Sequence, residues 1–255
     1  MKAAASVTHK VFGPIRSELA EVQRMTDIAG RFLEADRPKV YGLVELPPFD
    51  THFRPAVVLL VGRMYGGAAR RLVSLAAMVQ LLFLGMLVHQ RVGEDGADAE
   101  ERNRLAVLIG DYAFCRFFAL GAVDGNAAFM RPLAEIVRRY TEGAVARLDA
   151  PPTPVVIRSA VRQETADLMA EACRMAGKVG GAGAREAELL HHLGYDLGMG
   201  YGLLGWEAAS EAWTHLRAAR TWLSGLPAGT ARDALDAVIG SLLDWPRPSV
   251  AEIQG

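Results

Sequence analysis

Charge of either sign is in little surplus in this chain, where 28 lysines and arginines meet 29 aspartates and glutamates for a formal net charge of −1. The arginines are spread along the sequence rather than clustered, which excludes the basic footprint that a nucleic-acid partner requires. Cysteine is scarce. Cys115 and Cys173 both sit inside apolar helical patterns, where a small buried hydrophobe is expected rather than a disulfide, so the expected setting is the reducing cytoplasm. Met1 to Lys10 is short and mixed and carries no legible signal peptide. Segments that alternate apolar and polar residues at period two are few, which argues against a sheet. One apolar run, Leu72 to His89, lacks a formal charge until the histidine and approaches the ~18–20 residues of a membrane span. Ser74 and Gln80 interrupt it and Arg70-Arg71 precede it, so the run is expected to be a central helix of a soluble bundle, with no transmembrane segment.

What the chain does have is apolar mass and helical period. At 51% hydrophobic residues, 255 positions are ample for a large buried core. Periodicity predicts helices near 15–35, 54–65, 68–91, 99–122, 124–148, 155–177, 184–204, 207–224 and 229–244. Punctuation supports the breaks: Pro47-Pro48, Gly66-Gly67, Asp124-Gly125, Pro151-Pro152-Thr153-Pro154, the glycines from Gly177 to Gly183, and Leu226-Pro227. Asp98 followed by Glu101 suits a helix start. These connections are short, so the prediction is a single all-α domain over 1–255, with 1–14 disordered.

Several strings then carry chemistry, or its remains. Asp50-Thr51-His52-Phe53-Arg54-Pro55 precedes an apolar run; Val79-Gln80-Leu81-Leu82-Phe83 leads to His89-Gln90-Arg91-Val92-Gly93-Glu94. Ala106-Val107-Leu108-Ile109-Gly110-Asp111-Tyr112 follows, and later Gln163-Glu164-Thr165-Ala166, Gly194-Tyr195-Asp196-Leu197-Gly198 and Gly205-Trp206-Glu207-Ala208-Ala209. Their frame resembles the trans-isoprenyl diphosphate synthases, all-helical prenyltransferases in which two DDxxD motifs hold magnesium. The resemblance implies a helical bundle of the isoprenoid synthase type.

Frame residues match that family while polar residues do not. The family's Gly-Lys-Arg-x-Arg-Pro, which holds the diphosphate of the five-carbon donor, is reduced to Arg54-Pro55, with Thr51 for the lysine and His52 for the first arginine. In the first acid motif the adjacent aspartates are Gln90 and Arg91, and only Glu94 can replace the third. The family's diphosphate-binding histidine further up that helix is Phe83. In the second motif Gly205, Trp206 and Ala209 stand where aspartates belong, and Glu164 replaces a lysine. Ionising an allylic diphosphate needs divalent cations that bridge carboxylates to phosphate oxygens, and an i, i+4 spacing aims carboxylates at one point. Glutamine and arginine do not supply that.

By resemblance, therefore, no catalytic residue and no metal ligand is expected in this chain, and no cofactor of its own. Arg54, His52, His89 and Arg91 are the remnant substrate-binding candidates. Gly85 and Met86 occupy positions where side-chain bulk limits product length in the family. Tyr112, Phe114, Phe117 and Phe118 lie on the helix along which family dimers pack, and are interface candidates. The implied function is a noncatalytic small subunit of a heteromeric polyprenyl diphosphate synthase in isoprenoid biosynthesis. Its partner would be a catalytic chain with intact DDxxD motifs and the magnesium, influenced in activity and product length. The alternative is a stand-alone, metal-independent prenyl-diphosphate-binding protein, or an enzyme of altered chemistry. An active homodimeric synthase would require Gln90, Arg91, Gly205 and Trp206 to be dispensable.

Other clusters read as structure. Glu188, His191 and His192 lack further ligands at metal spacing and read as a solvated helix face. Lys178 among its glycines reads as an interhelical turn, and Trp206, Trp213 and Trp222 as core or interface.

Overall fold

A computed structural model describes residues 12–93, 99–206 and 208–244. Among them are α1 (Arg16–Thr26), α2 (Arg37–Val44), α3 (Pro48–Met64), α4 (Ala69–Gln90), α5 (Ala99–Val123) and α6 (Met130–Ala146). The chain continues with α7 (Pro154–Val161), a π-helical turn (Arg162–Ala166), α8 (Asp167–Gly180), α9 (Ala184–Leu204), α10 (Ala209–Ser224) and α11 (Thr230–Leu243). No strand occurs among the described residues, so the class is all-α as expected. Backbone contacts group the chain into two compact units. One comprises Met1–Leu59 with Ala68–Arg131, the other Leu60–Gly67 with Pro132–Gly255.

In the first unit, α4 is the central element. Buried side chains occur all round it from Leu72 to Val88, including Ser74 and Gln80, so the long apolar run is spent inside the protein. Among the described residues two helices, α4 and α5, are long and apolar enough by composition to cross a membrane; the apolar window of α4 is 83% buried and that of α5 only 33%. Against α4 packs α5, with Ala106, Ile109, Gly110, Ala113 and Phe117 turned inward. The first predicted helix is shorter than expected. It stops at Thr26 because Asp27 turns extended and its carboxylate accepts from the Gly30 N–H at 2.9 Å, a local bond that competes with the next helical turn.

Helix α2 was not predicted: Tyr41 is exposed and only Val40 and Leu43 are buried, too few apolar positions to show a period. Pro48, read as a break, is instead the first residue of α3, where a missing N–H costs nothing. Phe12, within the stretch expected to be disordered, is buried with its ring 6.4 Å from Phe49. Residues 1–11 lie outside the described residues. Cys115, expected to be buried, is exposed on α5.

In the second unit α9 is central, and glycines let its neighbours come close. A side chain at Gly194 would run into the backbone of Met169 and Ala170 on α8. Asp196 then ties α9 to α10: one carboxylate oxygen lies 2.7 Å from His215 Nδ1, and the other accepts from the Trp222 indole N–H at 2.7 Å. His192 stacks on the same indole at 4.9 Å. The expected break at 151–154 is present, with Thr153 accepting from Val156 N–H at the start of α7. Gly181 closes α8 at φ +90°, a backbone region that favours glycine. Cys173 is buried on α8, and burial pushes its thiol up to about 12.

Candidate functional site

The remnant binding residues cluster at the start of α3 and the end of α4, and each is engaged within the first unit. Arg54 is 3% exposed. One turn back, Asp50 brings a carboxylate oxygen to 3.8 Å from its Nη1, and the guanidinium carbon lies 3.3 Å from the centre of the Phe83 ring. The side chain that replaces the family's histidine has thus become the platform for the retained arginine. A desolvated stack of this kind is worth ~2 kcal/mol.

His52 is half-buried, with its ring 6.3 Å from Phe12 in an edge arrangement. Burial holds its imidazole below the ordinary value, which favours the neutral form and removes it as a cation for a diphosphate. The stability contributed by neutral His52 is complete above about pH 6.5 and is lost as the pH falls, because the unfolded chain takes up the proton more readily. Melting temperatures at about pH 7.5 and about pH 5.5 check this, since the acid-induced drop should be smaller in His52→Gln than in the native chain.

At the end of α4, His89 Nε2 sits 3.3 Å from the Asp111 carboxylate, and its ring lies over Gly110, where any side chain would collide with it. Phe114 packs against the same imidazole at 5.4 Å. Gln90 is exposed. Arg91, in the place of the second aspartate, donates through Nη1 to the carbonyls of Gly42 at 3.0 Å and Leu43 at 2.6 Å. Those carbonyls belong to the last turn of α2, so Arg91 satisfies acceptors that the helix end leaves open and opposes its negative pole. Glu94 lies outside the described residues.

This donor set does not fit a divalent cation. A neutral amide and a guanidinium committed to carbonyls replace the carboxylates that magnesium would need. Among the described residues no group of three or more His, Cys, Asp or Glu side chains is placed to hold a metal ion. In the second unit, Gly205 and Trp206 form the exposed turn that ends α9, and Ala209 opens α10 half-buried. Glu164, where a lysine stood in the resemblance, accepts from Arg147 Nη2 at 3.0 Å on the π-helical turn. Arg147, just past the end of α6, also bonds Gln163.

The remaining candidates divide. Gly85 faces the Phe114 ring, which a Cβ added at this position would approach to 3.0 Å, and Met86 is buried. Phe117 is core, Tyr112 packs edge-on against Phe32 at 6.0 Å, and Phe118 points outward, 51% exposed.

The polyprenyl synthetase family model matches residues 51–204, more than half of the chain. The chain belongs to the polyprenyl synthetase family. It is 28% identical over 162 residues to heptaprenyl diphosphate synthase component 2 of Geobacillus stearothermophilus, covering 58% of this chain and 50% of that one. It is 26% identical over 163 residues to octaprenyl diphosphate synthase of Escherichia coli K12, covering 59% and 50%. The chain thus spans about half the length of these relatives. In fold it is similar to a decaprenyl diphosphate synthase from Rhodobacter capsulatus, with a TM-score of 0.77 at 20% identity over 92% of this chain and 98% of that one. A polyprenyl synthase from Caulobacter crescentus, complexed with calcium and isoprenyl diphosphate, superposes with a TM-score of 0.75 at 19% identity over 93% and 97%. These polyprenyl synthase structures have the all-α architecture anticipated from the sequence.

The family relationship leaves Arg91's contacts, the Arg54–Phe83 stack and the Asp196–His215–Trp222 clamp as features of this chain. Sequence reasoning missed all three. The one available signal was that an arginine had survived where its companion cations had not, beside a new aromatic residue on α4.

Proposed function

We propose that this polyprenyl synthetase chain is a noncatalytic subunit of a heteromeric polyprenyl diphosphate synthase, acting in the cytoplasm beside a catalytic chain that carries the DDxxD motifs and magnesium. The observation that carries the reading is Arg91, which stands in an acid position and is committed to the last carbonyls of α2. Such a side chain supports the fold and repels the cation that the reaction recruits. The name of one relative, component 2 of a heptaprenyl diphosphate synthase, supports a multicomponent assembly.

A surface for the partner is available on α5, where Leu108, Phe118 and Val123 are 57%, 51% and 72% exposed, with Cys115 between them. Apolar side chains repeated along one exposed helix face favour a protein interface over solvent. Gly85 and Met86 would influence product length through the packing of α4 against α5 rather than by touching the growing chain.

The test is reconstitution. Purified alone with magnesium, an allylic diphosphate and isopentenyl diphosphate, the chain should show no turnover. Co-expressed with a DDxxD-bearing synthase of the same cell, it should copurify as a stable complex with activity or product length different from the partner alone. Phe118→Lys on the α5 face should weaken that complex at least tenfold while leaving the chain folded. Turnover by the purified chain, or coelution unaffected by Phe118→Lys, would overturn the proposal.

A further inference from the structure

Arg91 spends only part of its guanidinium on the fold. Nη1 donates to the Gly42 and Leu43 carbonyls, whereas among the described residues Nε and Nη2 make no hydrogen bond, meet no carboxylate and are not sealed from solvent. A pocket of about 630 Å³ opens beside this residue within the first unit, between α2, the end of α4 and the first turns of α5. Its volume is that of a small-molecule site. Gly42 and Leu43 line the pocket together with Arg91, so the guanidinium head, and not only its stem, stands in the wall. Lys39 and Arg102 add two further cations against a single carboxylate, Glu101, which pairs with Lys39 Nζ at 2.6 Å. Leu105 extends the apolar wall begun by Leu43.

We propose that this pocket binds a monocarboxylate with a short apolar body, its head seated on the open Nε–Nη2 edge of Arg91 and its chain along Leu43 and Leu105. Two parallel N–H groups match the two oxygens of a planar carboxylate, and a guanidinium already fixed through Nη1 loses little freedom on binding. The lining also sets the charge of the head. Three cations attract one negative charge, while the second charge of a phosphate is brought up against Glu101. None of Arg54, His52 and His89 lines the pocket, so the site shares only Arg91 with the remnant substrate-binding candidates. The inference is independent of whether the chain has a catalytic partner.

The probe is octanoate, ionised at about pH 7.5 and titrated into the full isotope-labelled chain while the methyl signals of Leu43 and Leu105 are followed by NMR. Saturable shifts of both are expected, with binding roughly tenfold weaker for 1-octanol, which lacks the charge, and roughly threefold weaker for octyl phosphate, which adds a second one. Arg91→Lys keeps the charge but not the two-pronged edge, and should bind octanoate roughly tenfold more weakly. Arg102→Gln should lose roughly threefold, whereas Arg104→Gln, on the same helix but outside the pocket, should bind octanoate as the native chain does. Should Arg91→Lys fail to fold, the Arg102 and Arg104 variants decide together with the three probes on the native chain. Native-like binding by a folded Arg91→Lys, equal binding of octanoate and 1-octanol, octyl phosphate binding as tightly as octanoate or more so, equal effects at Arg102 and Arg104, or no saturable shift with octanoate would each overturn the proposal.

Discussion

Replacing Gln90 and Arg91 together by aspartate should lower the melting temperature by roughly 5–10 °C, and magnesium should restore neither stability nor turnover. The cost sits almost entirely at Arg91. Its guanidinium donates to two carbonyls of α2, and hydrogen bonds from a charged donor contribute ~1.5–3 kcal/mol when lost from a shielded site. An aspartate there would also set a negative group against the negative pole of α2, adding up to ~1 kcal/mol. Since Arg91 is only half-buried, a total of about 2–3 kcal/mol is expected, and each kcal/mol moves the midpoint by roughly 2–4 °C at this size. Gln90 is exposed, so Gln90→Asp alone should stay within about 0.5 kcal/mol of the native chain. Paired with Arg91→Asp it adds like-charge repulsion between adjacent carboxylates. Thermal melts of both single variants and the double variant, each with and without magnesium, measure these contributions. A magnesium-dependent rise of several degrees in the double variant would show that the acids alone rebuild a cation site, contrary to the reading of Arg91 as a structural replacement.

Helix α4 is legible in the sequence because burial on every side leaves a long run without formal charge, broken only by Ser74 and Gln80. The family frame is legible for a related reason: glycines such as Gly110 and Gly194 sit where backbones or rings approach too closely for any side chain, so their spacing outlasts the chemistry. Helix α2 is hidden because it buries little and carries Pro38 in its first turn, after the acidic Glu34 and Asp36. Arg91's role is hidden more deeply, since its partners are backbone carbonyls 48 and 49 residues upstream and carbonyls leave no mark on a sequence. The same limit applies to Asp196, whose partners His215 and Trp222 are 19 and 26 residues away on α10. Motif comparison shows that a ligand is gone; the replacement's new contact appears only once the chain is folded.

Arg54→Ala should be the most damaging substitution among the remnant binding residues, at about 3–4 kcal/mol. The side chain is nearly inaccessible, and its loss removes the stack on Phe83, leaves a cavity, and strips Asp50 of its cation. Arg54→Lys keeps the charge but not the planar face, and should cost about 2 kcal/mol. Phe83→Leu should cost a similar ~2 kcal/mol, and combining it with Arg54→Ala should be less than additive by about 1–2 kcal/mol, because both changes remove the same contact. Phe83→His, which returns the family's side chain, separates a structural pair from a dormant phosphate site. If Arg54 and Phe83 serve the fold, the imidazole meets a buried guanidinium 3.3 Å from the former ring centre, and protonation adds repulsion. Denaturant midpoints of Phe83→His should therefore fall more steeply than those of the native chain as the pH drops from about 7.5 to about 5.5, and inorganic diphosphate should not reverse the loss. A diphosphate-dependent recovery in that variant would mean that the pocket kept its ligand geometry and that the aromatic replacement alone had silenced it.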